Sequence, residues 1–307
     1  MNSHLRAVLQ ALFVTFLWAT SWVLIKIGLG DIPPLTFAGL RYFLAFLCLL
    51  PFALTRERLD VLRKLSPREW LWLALLGMLF YAVAQGAQFM ALAYLPAITV
   101  GLLLNFSTVV IAVLGIVFLA ERPGLRQWGG VILCTLGALI FFYPVSVPKS
   151  EIVGYIAVFA CLFSNSISSI MSRDVNRKAR LDPLVVTTVS MGTGSVALLV
   201  SGVILQGLPH ITTANWIIIS WMAVVNTAFA FTLFNHTLRT LTAAESSVIV
   251  STMLAMIAVL AWLFLGEQIT WQKGIGMVLV GMGVVIVQLQ RPKETSPQTT
   301  QSTQRNS

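Results

Sequence analysis

Two stretches of this chain, Trp70 to Ala120 and Pro183 to Leu238, run for 51 and 56 residues without one Asp, Glu, Lys or Arg. A helix that crosses a bilayer needs about 20 apolar residues, so each run holds two spans. Lipid offers the backbone no hydrogen bonds, which leaves helices or a closed barrel as the spanning elements. Neither run shows the period-two alternation of barrel strands. The expected fold class is therefore an all-α membrane protein. Composition agrees: 57% of residues are hydrophobic, 10% are charged and the mean hydropathy is +0.86, where soluble domains carry about a quarter charged residues.

Apolar runs and the turn residues between them predict ten transmembrane helices, near 8–28, 34–55, 69–91, 97–119, 126–143, 152–172, 183–205, 215–237, 243–265 and 271–290. Gly30, Pro33 and Pro34 separate the first two, Leu95 and Pro96 break the first long run, and Gly207 and Pro209 break the second. Arg6 and the apolar stretch after it resemble a signal peptide but lack a small-x-small cleavage site. We read an uncleaved first helix. Beyond Gln290 the chain turns to Ser, Thr, Gln and Pro, so 291–307 is expected to be a disordered cytoplasmic tail.

With the amino terminus inside, sixteen Lys and Arg fall in inward segments and only Lys149 and Lys273 in outward loops. The positive-inside rule then puts both termini in the cytoplasm of a multi-pass protein of the cell membrane. The net charge of +9 sits in short connectors, not in a stripe with interleaved aromatics, so nucleic acid is not the expected partner. Cys48, Cys134 and Cys161 are odd in number and all lie in apolar segments, which points to packing and not to a disulfide framework.

Ile111 to Glu121 reads IAVLGIVFLAE and Ile257 to Glu267 reads IAVLAWLFLGE, with seven of eleven positions shared. The same spacing of 146 aligns Gly130 with Gly276 and Gly137 with Gly283, and a spacing of 149 loosely aligns the prolines that open spans two and seven. Five spans per copy is an odd number, so the second copy enters the membrane upside down. The expected domains are a first five-helix repeat at 1–146 and an inverted second repeat at 147–290. Such repeats are a common way to build a solute carrier with its substrate site near mid-bilayer.

Several motifs in order resemble the drug/metabolite transporter superfamily, and within it the ten-helix EamA type, over residues 8–290. They are Trp18-Ala19-Thr20-Ser21-Trp22 followed by Lys26, the run Pro33 to Arg41, the Ala91 to Ala97 turn, and the paired endings at Glu121 and Glu267. The resemblance implies secondary active transport of a small metabolite, an amino acid or related organic compound, with export favoured over import. It implies a central cavity among helices one to four and six to nine. Multidrug efflux is the alternative, and an intramembrane enzyme or receptor a remote one. The chain departs from the family pattern in span six, where Ser164-Asn165-Ser166 stands in place of an aromatic.

Charges inside a membrane mark functional sites by default, which singles out Lys26 and Arg41 for a vestibule or gate. Lys26 lies close enough to a helix end to snorkel or to pair with Asp31. Tyr81, Gln85 and Gln88 share one α-helical face, and Asn105, Asn165, Ser168 and Asn226 lie near mid-span. With Trp18 and Trp22 as an aromatic wall, and with Arg41, they form the expected substrate site. Packing and interhelical hydrogen bonds are the competing roles. Glu245, near His236 and Arg239, is the candidate for proton coupling, whereas Glu121 and Glu267 read as solvated helix ends. No nucleophile elbow, phosphate loop or metal-ligand spacing is present, so neither an enzyme nor a cofactor is expected. The expected partners are the solute and the bilayer, with oligomeric state open.

Overall fold

The computed structural model describes residues 3–111, 124–144, 147–177, 183–237, 240–241 and 243–288. Glu121, Arg122, Lys178, Arg180, Asp182, Arg239 and the tail from 291 lie outside them. Among the described residues all regular structure is helical. Within the described residues eight helices are long and apolar enough to cross a membrane, and two further apolar helices are shorter, Ala97–Ile111 and Trp271–Val287.

In chain order the helices are α1 Ser3–Gly28, α2 Pro34–Ala53, α3 Pro67–Tyr94, α4 Ala97–Ile111, α5 Leu125–Phe142, α6 Ile152–Arg177 and α7 Pro183–Gln206. They continue with α8 Thr213–Phe234, α9 in two pieces, Ala243–Ser251 and Met253–Leu265, and α10 Trp271–Gln288. A short polar helix, Arg56–Arg63, links α2 to α3.

The ends of these helices follow from local chemistry. Pro34 occupies the first position of α2, where its missing N–H costs nothing. At the start of α3, Ser66 Oγ accepts from the Glu69 N–H at 3.3 Å while Ser66 N–H donates back to Glu69 Oε2 at 2.7 Å, a capping box. Thr212 Oγ1 caps α8 with a single bond, accepting from Asn215 N at 3.3 Å. Gly207 and Gly266, with φ of 79° and 68°, end α7 and α9 in the left-handed region that other residues avoid.

Helix bounds recur along the chain. The starts Pro67, Ala97 and Leu125 return 146 residues later as Thr213, Ala243 and Trp271. Wider π-helical turns interrupt α3 at Met78–Gln85 and α8 at Val224–Phe229, again beginning one such interval apart. α1 and α6 are both 26 residues long.

α5 lies along α10, and the contact depends on small residues. A Cβ on Gly130 would come within 2.8 Å of the Gly283 carbonyl oxygen, and one on Gly137 within 2.8 Å of that of Gly276. Between these crossings Cys134 Sγ donates to Val280 O at 3.5 Å. Backbones that touch in this way gain dispersion contacts where lipid supplies no hydrophobic drive. Gly77 in α3 and Gly194 in α7 repeat the device, since a Cβ at either would strike the other helix's backbone. Elsewhere α2 packs on α7, α3 on α6 and α7, α8 on α1 and α2, and α9 on α1 and α4.

Candidate substrate cavity

These packings leave a cavity of about 380 Å³ in the middle of the bundle, near the small end of the usual ligand-pocket range of about 300–1,000 Å³. α1 contributes Trp18, Ser21 and Trp22, α2 Arg41 and Tyr42, and α3 Phe80, Gln85 and Gln88. α4 adds Asn105, Ser107 and Thr108; α6 adds Asn165; α8 adds Phe231; α9 adds Ser251, Met253 and Ile257. Seven of the ten residues expected at the site therefore meet here: Trp18, Trp22, Arg41, Gln85, Gln88, Asn105 and Asn165. Three larger hollows, of about 600, 760 and 500 Å³, have mostly apolar linings that suit lipid chains.

The other three stand behind the wall. Tyr81 is buried with its ring edge against Tyr42, centroids 5.6 Å apart. Ser168 Oγ donates to Ser164 O at 2.7 Å within its own helix. Asn226 Nδ2 donates to Leu17 O at 2.9 Å and Ser21 Oγ at 2.7 Å, tying α8 to α1. The π turns explain two of these placements. A π turn spaces facing residues five apart, so Phe80 and Gln85 share the cavity wall while Tyr81 rotates out. The second π turn holds Asn226 and Thr227 in the interior, and Thr227 Oγ1 donates five residues back to Met222 O at 2.9 Å.

Arg41 is 5% exposed and lies over the Tyr42 ring, 5.1 Å from its centroid. Its Nε and Nη2 each donate to Thr227 Oγ1 at 3.3 Å, and Nη2 reaches Ser21 Oγ at 3.5 Å. Tyr42 Oη donates to Gln85 Oε1 at 2.6 Å, which fixes one amide. Asn105 Nδ2 donates to Gly101 O at 2.8 Å, leaving its carbonyl oxygen for other donors. Gln88 and Asn165 make no hydrogen bond with other described residues. The aromatic absent from span six is supplied by α8, where Phe231 and Phe234 stand 5.3 and 5.0 Å from Trp18.

Sequence reasoning missed Tyr42, Ser21, Phe80, Ser107, Thr108 and Phe231. Tyr42 adjoins Arg41, and that adjacency was the one available signal; the rest resemble ordinary span residues.

Two charge assignments need correction. Lys26 neither snorkels nor pairs with Asp31: its Nζ donates to Leu92 O at 2.9 Å and Leu95 O at 3.0 Å, at the end of α3. Asp31 Oδ2 instead accepts from Asn215 Nδ2 at 2.9 Å. Glu267 is no solvated helix end, because its two oxygens accept from Ala97 N at 2.6 Å and Ile98 N at 3.0 Å, at the start of α4. Helix ends leave backbone groups unpaired, and long charged side chains reach across to them. Glu245 lies outside the cavity lining and accepts from His4 Nε2 at 2.9 Å, at the end of the bundle that holds the amino terminus.

The sequence profile of the EamA-like transporter family matches residues 5–143 and again residues 152–289. The chain belongs to the EamA-like transporter family. Among similar proteins, "Uncharacterized transporter YoaV" of Bacillus subtilis (strain 168) is 26% identical over 296 residues, covering 91% of this chain and 95% of its own. A "Probable amino-acid metabolite efflux pump" of Salmonella typhimurium (strain LT2) is 27% identical over 292 residues, covering 90% and 92%. A solved crystal structure aligns with a TM-score of 0.64 over 92% of this chain and 98% of that one, at 20% identity, a likeness of fold alone. The chain is thus a multi-pass membrane transporter.

Proposed function

We propose that this EamA-family transporter is a secondary carrier that exports a small organic metabolite, an amino acid or a close relative, by alternating access. Its ten spans form two five-helix halves, 1–146 and 147–290, inserted in opposite senses, with both termini in the cytoplasm. The observation that carries the reading is the shared lining of the cavity, to which α1 to α4 of the first half and α6, α8, α9 and α10 of the second all contribute. Rocking one half against the other exposes such a seam to each side of the membrane in turn.

The matched bounds and the paired π turns support the duplication. So does the α5–α10 contact, in which Gly130 faces Gly283 and Gly137 faces Gly276, the pairing that a twofold axis through Cys134 and Val280 produces. Four amides in the lining favour a polar metabolite over the multidrug alternative, which calls for an aromatic cavity poor in amides. The "amino-acid metabolite efflux" named for the Salmonella relative points the same way.

A screen of amino acids and related metabolites in everted vesicles, with and without a proton gradient, tests the proposal. Saturable accumulation of one of them is expected, and no movement of any solute above empty vesicles defeats it. Accessibility labelling that found Lys149 and Lys273 on the cytoplasmic side would overturn the orientation.

A further inference from the structure

We propose that Arg41 is the receptor for a carboxylate on the transported solute, so that the cavity takes small organic acids, amino acids included, with an apolar or aromatic body. This rests on the transport reading and narrows it to a substrate class.

Among the described residues that line the cavity, Arg41 alone is charged. It is nine-tenths buried and more, yet it reaches only two hydroxyls, at 3.3 to 3.5 Å, and no carboxylate among the described residues lies within ion-pair distance. Those hydroxyls spend their own protons elsewhere, Thr227 on Met222 O and Ser21 on Leu17 O. They orient the guanidinium without neutralising it.

A guanidinium keeps its charge in proteins, and burying it without a counter-ion is costly. Arginine also offers five N–H groups, of which these contacts engage three and leave the two on Nη1 without a bond to a described residue. Trp18, on the same cavity wall, buries its indole N–H without a partner among the described residues. The site thus holds one positive charge that no described residue offsets.

A planar carboxylate matches a guanidinium through two parallel hydrogen bonds, which a halide cannot offer. An amine without an acid group meets like charge, and a neutral solute leaves the guanidinium uncompensated. Trp18, Trp22, Phe80 and Phe231 supply surface for the rest of the molecule, and the Asn105 carbonyl and aromatic faces suit the ammonium of a zwitterion.

The test uses the purified full chain in detergent, with tryptophan fluorescence as readout because Trp18 and Trp22 line the cavity. The probes share one body: 3-phenylpropanoate, phenylalanine, phenylalaninamide and phenethylamine, with sodium chloride and inorganic phosphate as anion controls. The two carboxylates are expected to bind at least tenfold more tightly than the amide and the amine. R41Q should remove that preference by weakening carboxylates alone, and R41K should restore part of it.

Equal binding of the amide, displacement by chloride or phosphate at equal concentration, or no carboxylate binding at all would overturn the proposal. The ligand-free melting temperature separates recognition from a packing role: R41Q should hold or raise it. A fall with ligand preference unchanged also overturns the assignment. Loading the same four probes into proteoliposomes separates this idea from the transport reading. Arg41-dependent carboxylate binding without movement leaves the inference standing and defeats transport, whereas equal movement of amine and acid does the reverse.

Discussion

At the α3–α4 turn the ammonium of Lys26 meets two backbone carbonyls at 2.9 and 3.0 Å, while at the cavity wall the guanidinium of Arg41 meets hydroxyls alone at 3.3 Å and beyond. The turn is saturated. Lys26 covers the carbonyl end of one helix and Glu267 the N–H end of the next, each charge matching the sign of the helix dipole it faces. In that clamp both charges meet backbone groups at helix ends. Around Arg41 no described residue offsets the charge, and it is there that the proposed selection of a solute acts.

The largest effect expected from this contrast is on the clamp. E267A strips two backbone N–H groups of their charged acceptor, which should cost about 3 kcal/mol at typical values for hydrogen bonds to a charged group. Unfolding in detergent should show the loss, and ligand affinity of the remaining folded protein should stay within about twofold. An affinity loss that exceeded the stability loss would break the division between the two regions. K26M should act in the same direction at about 1 kcal/mol, because helix-end carbonyls can turn to other donors.

Next in size is Q85A, on the cavity side. It removes the acceptor of the Tyr42 hydroxyl and one lining amide, worth about 1 kcal/mol, or about fivefold in the apparent affinity for the solute. Binding titrations should register it while the melting temperature stays put. A variant that lowered the melting temperature and left affinity intact would place Gln85 with the clamp.

What could be read in the chain beforehand depended on whether a property was local. Helix positions followed from apolar runs punctuated by Pro96, Gly207 and the prolines before α2, all of which act on their own backbone. The family motifs pointed to helices that wall the cavity, and Trp18, Trp22, Arg41 and the four amides are there. Lys26 and Glu267 were misread because their partners lie 66 to 170 residues away in sequence. Periodicity gives the face of a helix but not how far a long side chain reaches. Tyr81 was misplaced for a subtler reason: the 3.6-residue period that groups it with Gln85 fails inside a π turn, and no residue in Met78–Gln85 announces that turn.

The smallest effect concerns Glu245, the coupling candidate on sequence grounds. Its contact with His4 joins side chains that are 40% and 55% exposed, so water and salt screen the pair and its loss should hardly move stability. A proton relay needs a carboxyl whose ionisation changes with the transport cycle, and such a group must leave water in one of the states. Glu245 lies outside the cavity lining that both walls build. E245Q is therefore expected to transport at the parental rate, with the same dependence on external pH from 5.5 to 8 in everted vesicles. A flattened pH profile with the melting temperature unchanged would put the coupling proton on this carboxylate. The distinction drawn above would then need a third class of charge, one exposed in the state described here and enclosed in another.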